Sequence, residues 1–205
     1  MELIAIFIGI GVLFFIVSMN ANDSSASGSL IILREEVLKN KDFQITQEYL
    51  DNNTMKYIAL DEKNHKICLL HEDSLTKGKY LTNIYTYSDI LESEIIENGV
   101  SISKMSKSSV AGRALLGGLL LGGVGAVIGG FTADRSEFEN MKRISLRIVV
   151  NNTTNPLFEI DFFNNTSGEG IKKDSFMYSN MMGQATHWHN LFKVIIKKDD
   201  ENISS

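Results

Sequence analysis

Two stretches of this chain break the ordinary alternation of apolar and polar positions: Leu3–Met19 and Ala114–Ala133 contain no charged residue. Elsewhere the pattern is that of short strands. Phe43-Gln44-Ile45-Thr46 alternates and predicts a strand leading to Tyr49 and the turn residues Asp51-Asn52-Asn53. Lys56–Leu60 and Ile67–Leu70 flank Asp61-Glu62-Lys63-Asn64, a hairpin signal. Ile84–Tyr87 and Ser93–Ile96 read as further strands. Glu97-Asn98-Gly99 then turns the chain into Val100–Ser103. Ile144–Val150 alternates cleanly, Asn151–Pro156 turns, and Leu157–Phe163 returns as a hairpin partner. The C-terminal part changes period. Tyr178, Met181, Ala185, Trp188, Phe192 and Ile195 recur at helical spacing, Asp174 or Ser175 is placed to cap, and Lys197-Lys198 suit the far end of the dipole.

The N-terminal stretch reads as a membrane anchor. Its seventeen residues hold twelve Leu, Ile, Phe or Val side chains, rise about 26 Å as a helix and gain about 5 kcal/mol on insertion. A cleaved signal peptide would need a basic start, and Met1-Glu2 supplies none. Arg34, Lys39 and Lys41 follow the Ser/Gly-rich spacer Asp23–Ser29, so the positive-inside rule predicts a single-pass protein of the cell membrane with a cytoplasmic body.

The second stretch is unusual in its glycines. Half of the chain's 16 glycines fall between Gly112 and Gly130. Ala114, Gly118, Gly122, Ala126 and Gly130 repeat every fourth position, which on a helix makes a bare strip that another helix can approach closely. In water each glycine would weaken a helix by about 1 kcal/mol relative to alanine, so lipid or tight packing is the environment that suits it. The reading favoured here is a helical hairpin that associates with membrane or with its own copies. A single full crossing would place Ile144–Phe163 and Phe43–Ile102 on opposite sides and split the sheet. A buried or disordered loop is the third option. Lys104, Lys107 and Arg113 flank the block as candidate contacts to anionic headgroups. As a phosphate loop the block fails: Gly123-x-Gly125 is followed by Gly129 rather than a glycine one position earlier, and no Lys-Ser/Thr ends it.

Composition narrows the rest. The formal net charge is −5, which offers nucleic acid no electrostatic footprint. Cys68 is the sole cysteine, so no internal disulfide is possible, and its place between Ile67 and Leu69 predicts a buried structural thiol. His187 and His189 stand about 200° apart on the predicted helix and cannot share one metal ion; two partly exposed residues beside a core Trp188 are expected. His71-Glu72-Asp73 reads as a solvated turn. Asp89, Glu92, Glu94 and Glu97 read as a solvated acidic strand edge, with Glu92 and Glu94 on one face. No catalytic residue, metal ligand or cofactor site is assigned, and the chain is not expected to be an enzyme.

Sequential hairpins closed by one amphipathic helix resemble a pleckstrin-homology-like β barrel or sheet, an α+β fold. The expected layout is an anchor over 1–21, a linker with a short helix over 22–40, the β domain over 41–198 interrupted by the glycine-rich insertion 108–134, and a tail over 199–205. Tyr85–Gly99, the glycine block Gly117–Gly130, the Ile144–Phe163 hairpin and Trp188-His189 together resemble a family of small uncharacterised bacterial and prophage-encoded proteins. That resemblance implies no established activity. The functional expectation is a membrane-tethered, non-enzymatic binding module, prophage- or host-defence-related, with a protein or lipid partner and possible homo-oligomers through the glycine block. The alternatives are an oligomeric, pore-like membrane-active protein and, third, an enzyme using the acidic strand edge.

Overall fold

The computed structural model describes residues 24–107 and 140–203, and the chain divides between Thr86 and Tyr87 into two compact units. The expected anchor Leu3–Met19 and the insertion 108–134 lie outside the described residues. Among the described residues no helix is long and apolar enough to cross a membrane.

In the first unit a helix, α1 (Ser24–Leu38), precedes an antiparallel meander of β1 (Gln47–Asp51), β2 (Lys56–Asp61), β3 (Lys66–Glu72) and β4 (Tyr80–Thr86). Part of the Ser/Gly-rich stretch read as a spacer is therefore the start of α1. Leu30, Leu33 and Val37 share one face of that helix and pack with Phe43, Tyr57, Ala59, Cys68 and Leu70. The other face of the sheet, Ile58, Leu60, Ile67 and Leu69, is buried too, as continuous apolar runs in β2 and β3 foretell.

Two aspartates shape the hairpins. Asp51 accepts the Asn53 N–H at 3.0 Å and the Thr54 hydroxyl. Asp61 accepts the Asn64 N–H at 3.0 Å, the Asn64 side-chain amide at 2.8 Å and the Gln44 N–H at 2.8 Å. Burial alone would raise the Asp61 carboxyl, but these donors, with Lys66 nearby, outweigh it and hold its pKa below the ordinary value. The Gln44 bond also explains a correction. Phe43–Thr46 does not form the predicted strand, because Phe43 is spent in the helix cluster and Gln44 on Asp61, and β1 begins only at Gln47.

Helix and sheet are riveted by a buried carboxylate. Arg34 of α1 donates to Glu48 of β1 from both its Nε, at 2.7 Å, and a terminal nitrogen, and the Tyr57 hydroxyl donates to the same group. Burial first, then Glu48, pushes the Tyr57 pKa far above the ordinary tyrosine value, so the phenol remains a neutral donor.

The second unit opens with a single 3-10 turn, Tyr87–Asp89. Five further strands and a helix are β5 (Ile90–Glu97), β6 (Val100–Ser106), β7 (Asn140–Met141), β8 (Arg143–Val150), β9 (Leu157–Asn164) and α2 (Phe176–Ile203), with the two-residue β10 (Ile171–Lys172) pairing β7. The main sheet is antiparallel in the order β6-β5-β8-β9. Ser93 pairs with Ile148, and Ile95 with Leu146, so these side chains share the face that meets α2. From α2 come Ala185, Trp188, Phe192, Ile195 and Ile196, all buried, with the Trp188 and Phe192 rings 6.5 Å apart. Ser175 caps the helix as expected: its hydroxyl accepts the Tyr178 N–H at 3.1 Å. The helix runs on through Asp199 to Ile203.

The α+β class and antiparallel sheets are as predicted, but no closed barrel forms among the described residues. The reason lies in β5. It hydrogen-bonds to β6 on one side and β8 on the other, so neither edge is left for β4, and the 3-10 turn separates the two strands.

Gly170 and Gly99 both adopt left-handed backbone, φ +80° and +83°. A Cβ on Gly170 would meet the Met141 carbonyl oxygen at 2.6 Å, whereas one on Gly99 meets nothing within 4 Å. Gly99→Ala should therefore cost about 1 kcal/mol and Gly170→Ala clearly more, about 2–3 kcal/mol, in urea denaturation of the purified protein. Equal losses would show that the Met141 contact relaxes freely.

Candidate functional site

The most informative geometry is that of the two roots of the glycine block. β6 and β8 both run antiparallel to β5 and therefore parallel to one another. Ser106, at the end of β6, pairs with Glu92, while Ile144, near the start of β8, pairs with Glu97. The block thus leaves the sheet at one end of β5 and returns at the other, a separation of about 17 Å along the strand.

Each root is fastened by side chains. At the departing root the Lys107 ammonium meets the Asp199 carboxylate at 2.8 Å and the Ser88 carbonyl, joining β6 to the last turns of α2. At the returning root Asn98 does the work. Its side-chain oxygen accepts the N–H groups of Lys142, at 2.8 Å, and Arg143, at 3.0 Å, and its amide donates to the Asn140 carbonyl at 3.3 Å. The turn predicted at Glu97-Asn98-Gly99 is present, with Asn98 at φ +46°, but its second duty as the seat of the returning chain is not readable from a turn signal.

Of the proposed headgroup contacts, Lys104 lies on β6 and pairs with Glu92 at 2.7 Å, its side chain 52% exposed. Lys107 is only 19% exposed in its pair with Asp199. Arg113 and the small-residue positions Ala114, Gly118, Gly122, Ala126 and Gly130 lie outside the described residues.

The acidic run is not a solvated edge. β5 is a central strand, and Glu94 and Glu97 are buried. Glu94 pairs with Arg147 at 3.3 Å, and Arg147 also reaches Glu159 at 3.0 Å. Glu97 accepts from Lys173 at 2.9 Å and from the Tyr178 hydroxyl. Every partner lies far away in sequence, which is why the run looked solvated. It also removes the acidic strand edge on which the enzyme alternative rested. Among the described residues no three of His, Cys, Asp or Glu are grouped to hold a metal. Cys68 is a buried free thiol, and burial pushes its pKa up to about 12.

His189 departs from its expected place beside the core. It is 1% exposed, with Nδ1 2.9 Å from the Ser93 hydroxyl and Nε2 3.0 Å from that of Ser103. A neutral imidazole suits this setting, donating to one hydroxyl and accepting from the other. Burial, then Lys193, lower its pKa, against a smaller opposing pull from Glu94, to about 4. The spacing of the two histidines gave no hint of it, because both serines belong to strands remote from α2.

Comparison with known proteins finds relatives by sequence. The model of a family described as glycine zipper containing PH domain matches residues 46–164, which take in strands of both units. An immunity protein of Bacillus phage SPbeta is 36% identical over 80 residues, 37% of this chain and 40% of that protein. A protein of Bacillus subtilis (strain 168) described as SPbeta prophage-derived uncharacterized membrane protein YomJ is 36% identical over 80 residues, 37% of this chain and 35% of its own length. The chain therefore spans well under half of either relative. The expected kinship with prophage proteins is found. No solved structure matches the chain.

Ser93→Ala would leave one buried ring nitrogen of His189 unsatisfied and should cost about 1–3 kcal/mol in chemical denaturation. The low His189 pKa has a definite sign: the unfolded chain binds the proton more readily. Its contribution to stability should be complete above about pH 6.5 and decline as pH falls toward 4. His189→Gln should reduce that slope in denaturation series across the same range; an unchanged slope would assign the acid sensitivity elsewhere.

Proposed function

Because the chain belongs to the family of glycine zipper containing PH domains, we propose that it is a membrane-associated, non-enzymatic binding module whose glycine block enters and leaves the bilayer on one side. The observation that carries this reading is the placement of β6 and β8 on either side of β5. Strands hydrogen-bonded to one common partner lie on the same side of any membrane, and so do the two roots of the block. A single crossing would tear β8 from β5. The block then acts as a one-sided membrane element or a self-association strip through Ala114, Gly118, Gly122, Ala126 and Gly130.

The name of the Bacillus subtilis relative supports membrane association, and that of the phage relative supports a part in phage immunity. In this reading Leu3–Met19 is the anchor and the body is cytoplasmic. Lys104 and Arg113 are the headgroup contacts, with Lys107 joining them when anionic lipid outcompetes Asp199.

Single cysteines at Ser24, Ser136 and Ser204, probed in intact cells with a membrane-impermeant thiol reagent, test the topology, the buried native Cys68 remaining silent. None of the three should label until the cells are opened. Labelling that differs between Ser24 and Ser136 would mean the block crosses, and the one-sided reading would fall. Labelling of all three would keep the one-sided block and reverse the orientation.

A further inference from the structure

The first unit carries an exposed apolar tip that nothing in its own packing explains. Between β3 and β4 the chain makes the loop Asp73-Ser74-Leu75-Thr76-Lys77-Gly78-Lys79, and Leu75 at its apex is 92% exposed. Solitary exposed leucines are common on protein surfaces. This one differs in being held out by a built loop. The Asp73 N–H donates to the Lys79 carbonyl at 2.8 Å, the Thr76 N–H to the Asp73 carbonyl at 3.3 Å, and the Lys79 N–H to the Thr76 carbonyl at 3.1 Å. The Asp73 carboxylate accepts the Leu75 N–H itself at 2.9 Å, and the Glu72 carboxylate accepts the Gly78 N–H at 2.6 Å, with Gly78 at φ +79°. Asp73 in the loop and Glu72 at the end of β3 thus both accept from the loop's backbone, and Asp73 also meets Lys79. What the apex presents outward is Leu75 with the exposed Lys77 and Lys79, Lys79 lying 3.5 Å from Asp73.

An apolar apex flanked by ammonium groups is suited to the boundary of an anionic bilayer: leucine enters the acyl region and the lysines stay among the phosphates. We infer that the Asp73–Lys79 loop is a second membrane contact, docking on anionic lipid through Leu75, Lys77 and Lys79; this inference rests on the membrane reading above. A protein partner fits the feature less well. A stable protein interface needs about 800 Å² from each side, and a one-leucine tip is far short of that. A chain already held at a bilayer needs only a small added contact, because tethering makes the second encounter intramolecular.

The test uses the full chain reconstituted in phosphatidylcholine vesicles, with and without phosphatidylglycerol. A polarity-sensitive dye is attached at Ser74→Cys or, in a separate preparation, at Gly122→Cys. The Ser74 dye should move to an apolar environment in anionic vesicles. Adding Leu75→Ser should lower the ratio of inserted to free loop about tenfold, the factor that burying one leucine carries, and Lys77→Glu with Lys79→Glu should lower it as well. A Ser74 dye that stays in water while the Gly122 dye is in lipid overturns this inference alone. Both dyes staying in water overturns the membrane reading with it. Insertion unaffected by Leu75→Ser also overturns the assignment.

Discussion

β5 surrenders both of its edges, and most of what can be said about this protein depends on that. A strand has two rows of backbone donors and acceptors, and burying either row unpaired is costly. By pairing β6 and β8 across β5, the chain sets two strands parallel that are separated by the whole glycine block, so the block must serve as the crossover between them. The same pairing leaves neither edge of β5 for β4, and among the described residues the main sheets are two open four-stranded ones, the sheet rather than the barrel form of the expected fold. It also converts a run of carboxylates from a solvated edge into a matched set. Glu92, Glu94 and Glu97 each meet a cation, and Glu97 a tyrosine as well.

Beyond the turn aspartates, several polar groups taken out of water are answered from another element. Glu48 is held by Arg34 and Tyr57, Asp161 by Arg143, and His189 by Ser93 and Ser103. Such groups contribute little net free energy when satisfied, since hydration is merely exchanged, but cost several kcal/mol when one partner is removed. Their effect is to favour one arrangement of helix against sheet. A sheet packed by aliphatic side chains alone would tolerate sliding more readily, and the Ser93–His189–Ser103 bridge ties α2 to both β5 and β6 at one position.

Hairpins and helix were legible because their signals are local. Asp51 and Asp61 with the asparagines beside them marked turns, Ile144–Val150 alternated, and the Tyr178-to-Ile195 stripe kept helical spacing, so each was found close to its predicted place. The start of β1 was missed because Phe43 alternates like a strand residue while its side chain serves the helix cluster. Of the candidate site, the glycine strip and its flanking lysines could be read. The clamps on its two roots, Asn98 on one side and Asp199 on the other, could not.

The sequence by itself marked most of the hairpin strands and the C-terminal helix, and showed that the chain carries two uncharged apolar stretches and that one of them is a strip of small residues at four-residue spacing. Those properties are periodicities, and a period is visible within a dozen neighbouring positions. Only the tertiary structure decided that β5 is central, that its acids are paired, that His189 is enclosed, and that the glycine block starts and ends on one sheet. Each of these depends on a hydrogen bond or ion pair between residues far apart in the chain, such as Glu94 with Arg147 or Ser93 with His189. A contact of that kind forms when two surfaces are brought together by the burial of apolar side chains, and neither partner carries a local mark of the other.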